Sequence, residues 1–450
     1  MKLGLLLFML TVVSVPADAA APNYVSDARQ VVTSLAAGRF ERVEKVFTAQ
    51  MTQAMPAEKL RAVWSSLLAK VGPFQKIKDA SLTIVQGYHV VMVTCQFQKT
   101  ELDARVVLDS EGKVAGLFFV PAPAKTSWSA PDYAYPSKFQ ERALTMVDRQ
   151  WRLPGTLTLP DGHGPFPGVV LVPGSGPNDE DETIGPNKVF KDLAWGLASN
   201  EIAVLRYTKR TRQYGPAAIP RDGKLTVNDT TVNDARAAAA VLAAQPEIDP
   251  HEIFVLGHSL GGMMAPRIAT DDPTVAGIII MAGPTRSYGQ IWVDQVKYLT
   301  SLEEPGTAAA ARRVQVAEAF ERTIDSPTLK QSQAVMLPTG GSIPGAYFLD
   351  LRGYHPAQVA AGLKIPILVM PGGKDYNVTR VDFEGWKRAL ARDRKTTFKF
   401  YPDLTHLFMP SASKGPALGT PADDFVPGHV NADVVYDIAL WVIHQAGVRS

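Results

Sequence analysis

Apolar positions recur along this chain with two periods, and the changes of period divide it. Residues 27–70 carry Val31, Val32 and Leu35, then Phe40, Val43, Val46 and Phe47, at the three- and four-residue spacing of helices that bury one face. Residues 57–68 repeat the pattern. Beyond Gly72-Pro73 the period shortens to two: residues 80–85, 88–97, 104–108 and 114–120 alternate as half-buried strands do, with turns at Gln86-Gly87 and Ser110-Glu111-Gly112. Helices followed by an antiparallel meander predict a small α+β domain over residues 23–120.

Residues 121–138, rich in Pro, Ser and Tyr, predict a linker. Residues 139–147 and 153–159 then read as an opening hairpin. From there strand and helix alternate. Strands are expected at 168–172, 202–207, 253–258, 275–281, 365–370 and 397–401, and helices at 190–198, 226–244 and 430–446. Thr226, with Asp229 three residues on, approximates a capping box. Continuous apolar strands separated by amphipathic helices imply a mostly parallel sheet with helices on both faces, so residues 139–450 are expected to form one α/β domain. Ligands of such sheets bind at the carboxyl ends of the strands. About eighty residues separate Met281 from Ile365, too many for a plain crossover. Trp292, Val293, Val296 and Leu299, then Val314, Val316, Ala317 and Phe320, form apolar stripes there, which predicts a helical lid over about residues 286–360.

The N-terminus adds a destination. Lys2, an apolar run over residues 3–15 and Ala17-Asp18-Ala19 have the three parts of a secretory signal peptide, residues 1–19, and the run is shorter than the ~20 residues of a spanning helix. Export to the periplasm or the exterior is expected, with no membrane span after cleavage. A length of 450 residues with 46% apolar and 20% charged positions suits two ordinary globular domains. The net charge of +2 and the lack of a long run of one sign give no indication of a nucleic-acid or anionic-membrane partner. Cys95 is the single cysteine, which excludes an intramolecular disulfide; its apolar-rich surroundings suit a buried small residue. One cysteine and eight scattered histidines argue against structural zinc.

The chemistry centres on Ile253-Phe254-Val255-Leu256-Gly257-His258-Ser259-Leu260-Gly261-Gly262. An apolar strand enters a Gly-x-Ser-x-Gly turn and a small-residue helix leaves it, the layout that raises a nucleophilic serine above a sheet. Ser259 is the candidate nucleophile. A serine hydroxyl needs a base, and the base needs a carboxylate to hold its tautomer. Asp375, in the turn after the strand ending at Met370, and His406, after the next strand, supply these in the order Ser, Asp, His. Other histidines are placed elsewhere: His258 beneath the turn, pointing away from Ser259, and His355, His429 and His444 as surface or packing residues. Asp350 and Asp403 are the rival acids. Oxyanion donors are expected from the backbone N–H of Leu260 and, in the loop Pro173-Gly174-Ser175-Gly176-Pro177, of Ser175, with Gly174 next.

These blocks, with Asn178-Asp179, Glu182-Thr183-Ile184-Gly185-Pro186-Asn187-Lys188, Pro371-Gly372-Gly373-Lys374-Asp375-Tyr376 and His406-Leu407-Phe408, resemble α/β-hydrolases related to bacterial carboxylesterases and the serine aminopeptidase-like group. The first domain resembles cystatin-like and nuclear-transport-factor-like modules, in particular an uncharacterised one that precedes some secreted bacterial α/β-hydrolases. The resemblance implies hydrolysis of small carboxylic esters through an acyl-enzyme, with no metal or cofactor. The chain departs from the family pattern at Pro173, where histidine is usual, and at Glu180, where arginine is common; Glu180 is expected to make the pocket rim more acidic. Two alternatives stay open. A peptidase or amidase on short peptides would anchor an N-terminal ammonium on Asp179, Glu180, Asp181 and Glu182. A non-catalytic binding protein would keep the hydrolase fold without its chemistry.

Overall fold

The computed structural model describes residues 23–85, 88–109, 111–121, 128–220, 222–303, 305–337, 342–415 and 417–447. The expected signal peptide, the Gln86-Gly87 turn, Ser110 and residues 122–127 of the expected linker lie outside these. The chain divides into two compact units, one ending at Ala122 and the other beginning at Pro123.

The first unit runs through helices Tyr24–Ala36, Phe40–Glu44, Ala49–Ala54 and Ala57–Val71 into four antiparallel strands in sequence order: β1 (Phe74–Val85), β2 (Tyr88–Phe97), β3 (Glu101–Leu108) and β4 (Val114–Pro121). β1 begins six residues before alternation becomes legible. Its pairing with β2 shifts register between Phe74 and Lys76 and again between Ile77 and Asp79. Each shift turns the following side chains to the other face and breaks the two-residue period. Val32, Leu35, Trp64, Phe97 and Val106 share one core with Cys95, whose burial pushes the thiol up to about 11, as for an inert packing residue.

The second unit is built on strands β5 (Phe139–Asp148), β6 (Trp151–Pro160) and β7 (Phe166–Val172). Two-residue strands β8 (Thr183–Ile184) and β9 (Asn187–Lys188) pair with each other, and β10 (Ala203–Tyr207), β11 (Ile248–His258) and β12 (Val275–Met281) follow. A small hairpin, β13 (Ala334–Met336) and β14 (Ser342–Pro344), precedes β15 (Ile367–Met370) and β16 (Thr396–Phe398). The main sheet has the order β16-β15-β12-β11-β7-β10-β6-β5. It is parallel from β16 to β10, and antiparallel where β6 meets β10 and β5. The strands are apolar on both faces because both are covered. Val170, Val172 and Val255 share one core with helices Asn233–Ala243, Leu260–Ala269 and Arg380–Leu390; Val169, Leu171, Phe254 and Leu256 share another with Val189–Ala198 and Ala432–Gly447. Thr226 and Asp229 form the expected reciprocal pair, each backbone N–H donating to the other's side chain, at 2.9 and 3.3 Å.

Residues 128–138 do not hang free as a linker. Tyr133 and Ala134 are buried in the second unit's core, and Trp128 Nε1 donates to Asp192 at 2.7 Å; aromatic area there outweighs the Pro and Ser content. The insert between β12 and β15 holds helices Tyr288–Glu303, Ala308–Ile324, Gly345–Arg352 and Pro356–Gly362 besides the small hairpin. Phe320, Ile324, Leu329, Val335 and Phe348 give it a core of its own. Its first residues are tied to the helix Arg380–Leu390 by Asp382, which accepts the backbone N–H groups of Thr285 (2.9 Å) and Arg286 (3.1 Å) and the Arg286 guanidinium. Among the described residues no helix is long and apolar enough to cross a membrane.

Candidate active site

Ser259 stands between the end of β11 and the helix Leu260–Ala269 with φ 53° and ψ −117°, a region a side chain enters only under constraint. The constraint is visible. Its N–H donates to the carbonyl of Met281 on β12, and its carbonyl accepts the N–H of Met263, both at 2.9 Å. A Cβ on Gly257 would lie 2.1 Å from the carbonyl oxygen of Gly261, and one on Gly261 2.1 Å from that of Val172. Backbone contact therefore requires both glycines of the motif.

Asp375 lies in the loop after β15 and is 1% exposed. Its Oδ1 accepts the N–H groups of Asn377 (2.7 Å) and Val378 (2.8 Å), and its Oδ2 meets Nδ1 of His406 at 2.7 Å. The rival acids are engaged elsewhere or exposed: Asp350 binds Arg267 and the N–H of Val227, and Asp403 sits on an exposed turn. His355 and His444 are exposed, and His429 bonds Asp192 at 3.1 Å. The Asp192 carboxylate raises the His429 imidazole above its usual range against the opposing effect of burial.

Past β7, the glycine-rich loop is held from two sides. The N–H of Gly174 donates to Oε1 of Glu182 at 2.7 Å, so it is already engaged. The carbonyl of Gly174 accepts from Nζ of Lys209 (2.6 Å) and Nδ2 of Asn178 (3.1 Å). Burial pushes the Lys209 ammonium down to about 8 against the pull of Glu182 and Asp234. In a planar trans peptide the carbonyl of Gly174 and the N–H of Ser175 point opposite ways, so fixing the first aims the second. Leu260 is the first residue of its helix, and its N–H has no acceptor within that helix.

Gly174, Ser175, Ser259, Leu260 and His406 line one cavity of about 310 Å³, at the small end of ligand sites. The insert contributes Tyr288, Ile291, Trp292 and Gln295 to its wall. Asp424 closes another side, on a segment whose Asp424 and Val426 carbonyls accept from the Asn187 amide. Burial pushes the Asp424 carboxyl up to about 6; His406 opposes the rise and Asp375 adds to it.

His258 is buried beneath the elbow at 1% exposure, as expected, but does more than pack: its ring centroid lies 4.7 Å from that of His406. Its Nδ1 meets Oε2 of Glu182 and its Nε2 meets the backbone carbonyl of His406, both at 2.9 Å. Burial presses the His258 imidazole down, but Glu182 more than reverses this, and it stands above the usual range. The only sequence hint was Glu182 itself, an acid within a block of turn residues. Each acid of the run is engaged by the protein, and Asp181 and Glu182 are buried. Asp179 accepts the Thr183 N–H (2.9 Å), Glu180 takes the Thr156 hydroxyl (3.1 Å), and Asp181 bonds Arg206 (2.9 Å) and Lys188 (2.7 Å). Glu180 thus points to Thr156, not to the pocket rim.

Residues 28–117 match a family described as a protein of unknown function, DUF3887, and residues 169–415 match the alpha/beta hydrolase family. Esterase EstD of Thermotoga maritima is 37% identical over 417 residues, which is 92% of this chain and 93% of that protein. Among solved structures, Est1E from Butyrivibrio proteoclasticus aligns at 12% identity with a TM-score of 0.44, over 68% of this chain and 99% of that one. The esterase domain of a Rhodothermus marinus protein aligns at 19% identity with a TM-score of 0.39, over 67% and 97%. With more than half of its length matched by one family model and nine-tenths aligned to EstD, the chain belongs to the alpha/beta hydrolase family, in the group of that esterase.

Proposed function

We propose that this chain hydrolyses small carboxylic esters through a Ser259-His406-Asp375 triad and an acyl-enzyme. The observation that carries the reading is the 2.7 Å hydrogen bond that Asp375 accepts from Nδ1 of His406, a residue lining the same cavity as Ser259 at its strained elbow. Asp375 keeps the proton on Nδ1, which leaves Nε2 with a lone pair for the Ser259 hydroxyl. As Ser259 Oγ bonds to the ester carbon, its proton passes to Nε2, and the carbonyl oxygen becomes an oxyanion facing the N–H groups of Leu260 and Ser175. Collapse breaks the bond to the alkoxide, which takes that proton and leaves as the alcohol. Water then attacks the acyl-enzyme with His406 again as base, the acid departs, and Ser259 regains its proton. The cavity volume favours a short acyl or alcohol part. The leader at residues 1–19 supports export to the periplasm or beyond.

The test is turnover of p-nitrophenyl esters of increasing acyl length, beside aminoacyl-p-nitroanilides, by the mature protein and by Ser259→Ala. Ester hydrolysis that disappears in the variant, with fluorophosphonate labelling of the parent alone, is expected. A folded parent that turns over neither series and resists the probe overturns the reading. Fractionation of cells expressing the full chain tests export.

A further inference from the structure

We infer that Glu182 and His258 form a buried positioning pair for the proposed hydrolysis, with His258 held as an imidazolium that donates to Glu182 and to the backbone carbonyl of His406. The inference rests on the triad reading above for its consequence in activity, though not for the protonation state itself.

The hydrogen-bond pattern and the charges around Glu182 together favour a doubly protonated ring. A carbonyl oxygen can only accept, so the 2.9 Å contact from His258 Nε2 to the His406 carbonyl requires a proton on Nε2. Glu182 Oε2 lies 2.9 Å from Nδ1, while its other oxygen accepts the Gly174 N–H at 2.7 Å. A neutral imidazole with its one proton on Nε2 would set the Nδ1 lone pair against a carboxylate oxygen. With its proton on Nδ1 it would set the Nε2 lone pair against the carbonyl. Two donors satisfy both acceptors, and the buried carboxylate offsets the imidazolium charge; the remaining arrangement, a neutral ring accepting from a protonated Glu182, would discharge a carboxylate that takes the Gly174 N–H and faces the Lys209 ammonium. The charged or titratable groups around the ring are Glu182, His406, Asp375 and Asp424, with Lys209 beyond Glu182.

The pair joins three segments that reaction needs in register. Glu182 holds the loop of Gly174 and Ser175, His258 belongs to the elbow, and the His406 carbonyl lies in the backbone of the base itself. Glu182 is anchored in turn: it is 1% exposed, has φ 47°, and follows Asp181, which Arg206 and Lys188 clamp. Neither residue touches the reacting atoms; both act through the groups they hold.

The first measurement is the ring nitrogen spectrum of histidine-labelled protein, with His258 assigned by its change in Glu182→Gln. Two protonated nitrogens on His258 from pH 6 to 9 are expected; a single N–H across that range overturns the inference. Glu182→Gln separates charge from shape, since the amide can still accept from Gly174 while its NH₂ faces Nδ1 and returns His258 to neutral. The substitution removes the cation whose ring lies 4.7 Å from that of His406 together with the carboxylate on its Nδ1 side; the nearer charge dominates, so the acid limb of kcat/KM is expected to move up by about 0.5–1 pH unit. His258→Phe keeps a ring but drops both bonds, and kcat is expected to fall at least tenfold with KM nearly constant. A residue with a purely structural role would lower Tm and leave the limb where it was, which also overturns the inference. If the parent shows no Ser259-dependent turnover, the triad reading fails while the nitrogen spectrum still stands; a neutral His258 in an active enzyme fails the inference alone.

Discussion

Asp375→Asn isolates what the carboxylate does for His406. Oδ1 accepts from two backbone N–H groups, those of Asn377 and Val378, and Oδ2 accepts from Nδ1 of His406. An asparagine must choose an orientation. Turning its NH₂ toward the two backbone donors would forfeit both hydrogen bonds and bury opposed donors, at roughly 1–3 kcal/mol for each group left unsatisfied. The amide oxygen therefore stays with Asn377 and Val378, and the NH₂ faces Nδ1. Histidine then carries its proton on Nε2 and has no lone pair toward Ser259. Tautomer loss of this kind lowers kcat about ten-thousand-fold in serine proteases. At 1.36 kcal/mol per decade this is about 5 kcal/mol of transition-state stabilisation. Burst and steady-state kinetics on p-nitrophenyl acetate measure it, with KM nearly unchanged. Thermal melting is expected to stay within a few degrees of the parent, because the loop keeps its anchors. A variant within tenfold of parental kcat would show that Asp375 does not hold the His406 tautomer and would move the acid's role elsewhere.

Three further outcomes follow from the packing. Gly261→Ala places a Cβ 2.1 Å from the Val172 carbonyl, and loss of soluble protein or of ester turnover is expected in expression and activity assays. Arg206→Ala removes a 2%-exposed guanidinium that binds Asp181, Thr158 and Glu141, and breaking such a buried pair costs about 3–5 kcal/mol, readable as a lower urea midpoint. Asp424 titrates higher folded than unfolded, so the native state holds its extra proton between pH 3.8 and about 6 and loses stability as pH rises through that window. Asparagine removes the loss, and Asp424→Asn is expected to melt above the parent at pH 7.5, with the difference closing toward pH 4.

Much of this was written in local pattern. The strands β7 and β12 and residues 253–256 of β11 are continuous apolar runs, the elbow is a short motif with strict steric demands, and Asp375 and His406 each follow a strand in chain order. What escaped depends on partners far away in sequence. Nothing near Tyr133 shows that it will be buried in the core under Val189–Ala198, and the start of β1 was hidden by two register shifts. His258 was read as packing because a residue inside the elbow turns its side chain beneath the turn. Its partners, Glu182 and His406, stand 76 and 148 residues away.

The same distance effect bears on ester against amide. Four consecutive acids, Asp179 to Glu182, read naturally as a seat for a substrate ammonium, yet in the fold every one of them has a protein donor. Recruiting any of them would strand an N–H, a hydroxyl or a cation, several of them buried, which costs more than an exposed ion pair returns. Among the described cavity residues, Asp424 is the carboxylate without a side-chain hydrogen-bond partner. An aminoacyl substrate would have to bring its ammonium there, and that carboxyl is charged only above about pH 6. Any anilide turnover should therefore rise relative to acetate-ester turnover as pH passes 6, and should vanish selectively in Asp424→Asn. Anilide cleavage that ignores both the pH and the substitution would place amine recognition on other residues.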